Sequence, residues 1–343
     1  MFRRILTLAI LFIFVFGQDK TCIVDIKQYV HQSKASFRGL SILDSENIWV
    51  SGSNGTVIKT TDSGISWSNV SPKNFSTTGF RDIHAFTSSS AIIMGIATPA
   101  YFLKTTDSGK TWQQVYTNSE EKIFFDSFEF LNTGFGIAMS DPIKNRFYLI
   151  TTTNYGETWA QVDTNQIPVS ISEGGFAASG SCIAFASEKK LCFVSGGRKA
   201  RVYFSFDAAQ SWQVANTPMY QGKATRGIYS IAFRDSLFGV AVGGDYTQIS
   251  KKYINAIYTN NSGKTWNQCK ELPFGFKSSI AFSPIDASFA ICAGTSGIDI
   301  SNDSGLHWIH YSDVSLNAIG FDNLGQIWGV GDKGLIVKME VKY

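Results

Sequence analysis

One eight-residue turn, Thr105-Thr106-Asp107-Ser108-Gly109-Lys110-Thr111-Trp112, has five further copies along this chain and leaves few folds open to it. The copies end at Trp67, Trp112, Trp159, Trp212, Trp266 and Trp308, so they step by 45, 47, 53, 54 and 42 residues. Self-similarity at roughly 40–55 residues marks a repeat architecture. The polar member of the turn is Asp62, Asp107, Asn154, Asp207, Asn261 or Asp303. Its side chain can accept hydrogen bonds from nearby backbone N–H groups. The following Gly supplies positive φ, and Ser or Thr and then Trp restart a strand. A catalytic or metal-binding aspartate is needed once, whereas this turn is distributed around the whole molecule. It therefore reads as a hairpin clasp. In the fourth copy Ala209 takes the Gly place, so that turn is expected to be looser or differently shaped.

The residues between the turns read as strands. In the first repeat they are 37–43, 48–52, 56–60 and 67–71, rich in β-branched and aromatic residues and bounded by turn formers. Later repeats start at Phe80, near Phe125, near Gly175, and at Gly227, Lys277 and Leu316. The seventh lacks the turn and the fourth strand. The extended stretch 23–31 belongs to no repeat and is expected to supply that strand. Four-stranded units that cannot bury both faces alone pack radially. The expected fold is all-β, a seven-bladed β-propeller in a single domain, residues 18–343, whose ring an N-terminal strand closes.

The unit from Ile48 to Trp67, with Ile48-Trp-Val-Ser-Gly52 and Thr61-Asp-Ser-Gly64, resembles the repeat of the photosystem II stability/assembly factor family. The turn is also shared with sialidases and sortilins, where it is called the Asp box or BNR repeat. The resemblance covers nearly the whole chain beyond residue 17. It implies an exported propeller that acts as a binding or assembly module. Similar proteins are often named oxidoreductases or glycosyl hydrolases.

Residues 1–17 read as a secretory signal peptide, with Arg3 and Arg4 ahead of a 12-residue apolar run, 5–16, too short to span a bilayer. A secreted or periplasmic location follows. Lys and Arg number 30 against 27 Asp and Glu, and two of the arginines lie in the leader, so the remainder is near neutral. Neither nucleic acid nor stable membrane insertion is indicated. The five cysteines form no CxxC pair, and the sequence fixes no disulfide. Gly329-Val-Gly-Asp-Lys-Gly334 matches GxGxxG, but no helix follows and it reads as a β-turn. No metal-spaced cluster and no cofactor motif is found.

In a propeller, the loops that lead into the first strands share one face with those between second and third strands. The repeated turns occupy the other face. At the first-strand starts stand Arg38, Arg81, Asp126, Glu173, Arg226 and Lys277. The second-to-third loops add Asp141, Arg198, Arg201 and Asp245, and long connections bring Tyr220 and Lys223. Together they are expected to face a channel mouth, weighted towards repeats three to five. They form either a pocket for a protein terminus, an anionic or carboxylate-bearing small ligand or a glycan, or a mutually neutralising charge ring around a hydrated channel. The alternative function is a glycoside hydrolase resembling sialidases. There Arg38, Arg81 and Arg226 would hold a carboxylate, with Glu173, Tyr220 and Asp141 or Asp245 as the reacting groups. The sialidase Arg-Ile-Pro signature is absent, and the nearest stretch is Phe37-Arg-Gly-Leu40. A quinone-dependent oxidoreductase has no residue in its favour.

Overall fold

The structure, a computed structural model, describes residues 23–342 except Ala97. Residues 1–17, expected to form a leader, and Cys22 lie outside the described residues. Seven antiparallel sheets follow one another around an axis. Blade 1 comprises Phe37–Ile42, Ile48–Gly52, Val57–Thr60 and Ser68–Asn69; blade 2, Phe80–Ala85, Ala91–Gly95, Ala100–Thr105 and Gln113–Asn118. Blade 3 comprises Phe125–Phe130, Gly136–Ile143, Arg146–Thr152 and Ala160–Gln161; blade 4, Ile183–Phe185, Leu191–Val194, Arg201–Ser205 and Gln213–Asn216. Blade 5 comprises Lys223–Phe233, Gly239–Asp245, Ala256–Thr259 and Asn267–Gln268; blade 6, Ser279–Phe282, Ala290–Gly294, Gly297–Ser301 and Ile309–Ser312. Blade 7 has Ala318–Phe321, Ile327–Val330 and Leu335–Lys342 from the C-terminus. The first strand of each blade packs on the first strand of the next in a closed circuit.

The fourth strand of blade 7 is Ile23–Val30, paired antiparallel with Leu335–Lys342 from Ile23↔Lys342 to Val30↔Leu335. The expected ring closure is therefore present. One apolar cluster seals the joint, with Trp328, Val330 and Ile336 of blade 7 against Phe37, Val50, Ile58 and Trp67 of blade 1. Outside blade 3, whose second strand is partly exposed at 141–143, the second strands are buried throughout, which suits their largely apolar make-up.

The repeat-four boundary differs from expectation. Blade 4 begins at Ile183, and Glu173–Gly174 instead pairs with Gly196–Gly197, which extends the sheet of blade 5. Glycine permits this crossing, since a Cβ on Gly196 would lie 2.5 Å from the Arg226 carbonyl oxygen.

The repeated turn is a clasp with one more member than the sequence reading named. A buried hydroxyl two residues ahead of the Asp donates to it and accepts from the Gly N–H. At Asp107 these bonds are Thr105 Oγ1 to Oδ1, 2.9 Å, and Gly109 N to Thr105 Oγ1, 2.9 Å. Thr111 N and Oγ1 then donate to the two carboxylate oxygens at 2.9 and 2.6 Å. Asn154 and Asn261 keep the pattern, their amides donating to Thr158 and Thr265 instead. The Thr111 hydroxyl and N–H, acting first, hold the Asp107 carboxyl down at about 2.

Two successive residues have positive φ, for example Ser108 at 67° and Gly109 at 81°. Ala208 and Ala209, at 55° and 69°, adopt the same shape, and Ser205, Asp207 and Ser211 make the same bonds. The expected looser turn is thus not found, because the hydrogen bonds impose the conformation on alanine. The Gly also faces the preceding blade, since a Cβ on Gly109 would lie 2.6 Å from Val70 Cβ.

Three outcomes follow for stability. Gly109→Ala should cost about 2–4 kcal/mol in urea denaturation, combining left-handed strain with displacement of Val70. Ala209→Gly should stay within about 1 kcal/mol of the parent, because strain relief offsets a lost buried methyl. A chain starting at residue 32 should lower the melting temperature and lose hydrogen-exchange protection in Leu335–Lys342, whereas one starting at residue 23 should do neither.

Candidate functional site

The side chains at the axis are placed by β-bulges. In blades 1, 2 and 3 a buried Phe (Phe37, Phe80, Phe125) opens the first strand, and the pairing register shifts directly after it. The extra residue in each bulge is Arg38, Arg81 or Asp126, and in blade 5 it is Tyr229. A bulge re-aims its side chain, here towards the channel.

The channel on this face is not a hydrated opening. Residues 175–181, which lead into blade 4, fill it and bind five other blades. Arg38 Nη1 donates to the Ala178 carbonyl and Arg81 Nη1 to the Ala177 carbonyl, both at 3.2 Å. Ser127 Oγ donates to Gly180 O at 2.8 Å, Ser179 Oγ to Ser278 O at 2.7 Å, and Ser181 Oγ lies 2.7 Å from Ser230 Oγ. Phe176 stacks on Tyr229 at 3.7 Å and 10°. Glycines make the fit possible. A Cβ on Gly175 would lie 2.2 Å from Asp126 Oδ2, and one on Gly180 2.2 Å from Asp82 Oδ1.

The expected ring of charge is consequently divided. Lys277 has no exposed surface and binds Asp299 at 2.5 Å, with Ser296 Oγ and Gly297 O as further acceptors. It is a core ion pair and not a group at an opening. The Glu173 side chain is 1% exposed, bonded to Arg201 at 2.6 Å, Tyr203 Oη at 3.1 Å and Ser195 Oγ at 2.9 Å. Arg226 binds Asp245 at 3.0 Å and lies over the Tyr220 ring at 4.1 Å, while Tyr220 stacks on Tyr253. Asp141 Oδ1 accepts from Gly175 N at 2.8 Å. Arg198 and Lys223 are exposed on this face.

The hydrolase arrangement is not assembled. Glu173 meets Tyr203, not Tyr220, and both are sealed from solvent. Burial first, then the Glu173 charge, pushes the Tyr203 hydroxyl up, the opposite of an activated nucleophile.

Arg38 and Arg81 remain as neighbouring, half-exposed guanidiniums. Burial and then the charge of Arg38 bring Arg81 down to about 10. Their counter-charge is Asp332, which accepts from Ser36 Oγ at 2.5 Å and Asn317 Nδ2 at 3.0 Å. Asp332 was hidden in the GxGxxG-like turn, where only register with the first repeat could have placed it near Arg38. Beneath the arginines, Asp126 is fully buried and neither carboxylate oxygen has a hydrogen-bond partner. Burial, reinforced by Asp141, raises its carboxyl well above the usual range. Asp82 is raised likewise by burial, although Phe128 N and Ile83 N donate to it.

No family model and no curated protein matches the sequence. Solved structures share its fold. One described as YCF48 bound to D1 peptide superposes with a TM-score of 0.65 at 17% identity, over 91% of this chain and 96% of the other. YCF48 from Cyanidioschyzon merolae gives 0.61 at 18% identity, over 91% and 98%. The resemblance read from 48–67 therefore holds at the level of fold.

Asp126 sets a pH dependence. Its folded pKa lies above its unfolded value, so its favourable contribution is complete below about 4. That contribution is lost as pH rises towards the folded value. Asp126→Asn removes the ionisable group but keeps its shape. The variant should be more stable than the parent at pH 8, with the difference shrinking towards pH 4, as read from denaturation midpoints across that range.

Proposed function

We propose that the protein is a protein-binding module that takes the carboxylate end of a peptide at the axial face, through Arg38 and Arg81. The observation that carries this reading is the pairing of two bulge-directed arginines whose Nη1 atoms hold only backbone carbonyls. Each guanidinium has five N–H donors, so both keep donors for a carboxylate. Asp332 partly offsets their charge. Beside them, the half-buried Phe176, backed by the buried Tyr229 ring, suits an apolar side chain of the same peptide. A peptide-bound structure with the same fold supports a peptide partner. The Arg226–Asp245 pair and exposed Arg198 widen the face without completing the carboxylate site.

Export supports a partner outside the cytoplasm, and the apolar run behind Arg3 and Arg4 is the basis for it. The mature N-terminus read by mass spectrometry after expression with the leader tests this; retention of Met1 in the purified protein removes it.

The binding reading is tested with a random peptide library displayed with free C-termini. Selected peptides should lose at least roughly tenfold in affinity when amidated at the C-terminus, the scale of one charge-assisted hydrogen-bond pair. Arg38→Ala with Arg81→Ala should abolish the difference between free and amidated forms. Peptides that bind equally in both forms, or a double variant that still discriminates, would exclude the carboxylate reading.

A further inference from the structure

The opposite end of the channel differs in kind. On every blade one first-strand residue pairs with the second residue of the second strand, from Ser41↔Trp49 and His84↔Ile92 to Gly320↔Trp328. All seven residues at this level are partly exposed although they lie on the innermost strands. The level two residues earlier, which includes Asp82, Ser127 and Ser230, is buried on every blade. The channel is thus a well, closed by residues 175–181 and open towards the clasp face. Its wall is Ser41, three alanines and Gly320, with one polar corner made by His84 and Glu129.

That corner is unsatisfied. Among the described residues neither ring nitrogen of His84 has a hydrogen-bond partner, and Glu129 Oε1, which accepts from Phe130 N at 3.0 Å, lies 4.0 Å from Nδ1. Phe130 and Phe86 hold the imidazole at 4.9 and 5.0 Å between ring centroids. A cavity of about 760 Å³ is lined by Ser41 and His84 of this level and runs past Phe86 to the exposed Tyr155; Glu129 and the alanines of the level lie outside its lining, with Glu129 joined to it only through its proximity to His84. The cations and anions facing it are Lys104 and Glu157, which neutralise each other. Burial brings His84 down to about 4 and raises Glu129 to about 7, so an ion pair is not the resting form near neutral pH.

We propose that this well binds an uncharged polyhydroxylated ring, a monosaccharide or cyclitol, with vicinal hydroxyls on His84 and Glu129 and a C–H face on Phe86 and Tyr155. A neutral imidazole offers one donor and one acceptor, and a carboxyl beside it offers either. Hydroxyls both donate and accept, so adjacent ones satisfy both groups without importing charge into a desolvated corner. The Lys104–Glu157 pair offers a charged ligand no net attraction.

The test is saturation-transfer NMR on the whole protein. The probes are myo-inositol, glucose, galactose and N-acetylglucosamine, with glucosamine and glucuronate as charged counterparts. At least one neutral probe should give a saturable signal that exceeds those of the charged pair. His84→Ala and Glu129→Ala should each weaken it by roughly tenfold, the scale of one lost buried hydrogen bond. Ser90→Leu, which narrows the cavity without touching the polar corner, should block it with the melting temperature as the control for folding. Absence of a saturable neutral probe, preference for glucosamine over N-acetylglucosamine, or unchanged binding in folded His84→Ala overturns the proposal. The arginine face plays no part in this assay, so peptide binding stands or falls separately.

Discussion

A four-stranded sheet with apolar residues on both faces has no stable existence in water by itself. Every blade here is stable because its neighbours cover it, and the condition holds only if the circuit is complete. The strand pairing that completes blade 7 and lets it seat on blade 1 is therefore the contact on which the others depend. It links residues more than 300 positions apart, yet the entropic cost of so long a loop grows only logarithmically. Eight consecutive pairs and the Trp328–Trp67 edge contact meet that cost.

The clasp serves the same end. Its Gly lets the turn approach the blade before it, and its Trp packs on that blade, as Trp112 does on Trp49. Long cations cross the same gaps in the other direction. Lys59 reaches Ser88 O over the face of Trp49, and Lys338 reaches Ser63 O over Trp328. A residue that looks like a hairpin punctuation mark is thus also part of the blade-to-blade interface. This is why a substitution at Gly109 is felt by Val70.

The fold was legible because repetition carried it. Six clasps and one missing clasp fixed the blade number and pointed to 23–31 as the closing strand, of which Ile23–Val30 pairs. The hydroxyl of the clasp, at Thr60, Thr105, Thr152, Ser205, Thr259 and Ser301, was equally regular and was overlooked only because strands commonly end in such residues. The axial site was legible in part. Arg38 and Arg81 follow a Phe at the same place in their repeats, so their convergence could be read from spacing. The partners of Lys277, Glu173 and Arg226 could not, because Asp299, Arg201 and Asp245 stand on other strands and burial decides between an ion pair and a free charge. Residues 175–181 broke the repeat, and a segment without a repeat has no template from which to infer its course.

That irregular segment makes the two ends of the channel chemically different. Without it, seven similar blades would enclose a pore with two comparable mouths. Its glycines lie against Asp126 and Asp82, whose carboxyls burial raises well above the usual range, while its carbonyls accept from the half-buried guanidiniums of Arg38 and Arg81. Below the same segment the wall is made largely of small side chains, and the His84 ring nitrogens are left without a hydrogen-bond partner among the described residues while Glu129 accepts only from Phe130 N. One insertion into a repeating fold therefore separates a cationic face from a second, differently lined end. The ends differ because the segment's carbonyls and hydroxyls bond groups of five blades above and do not reach His84 or Glu129 below.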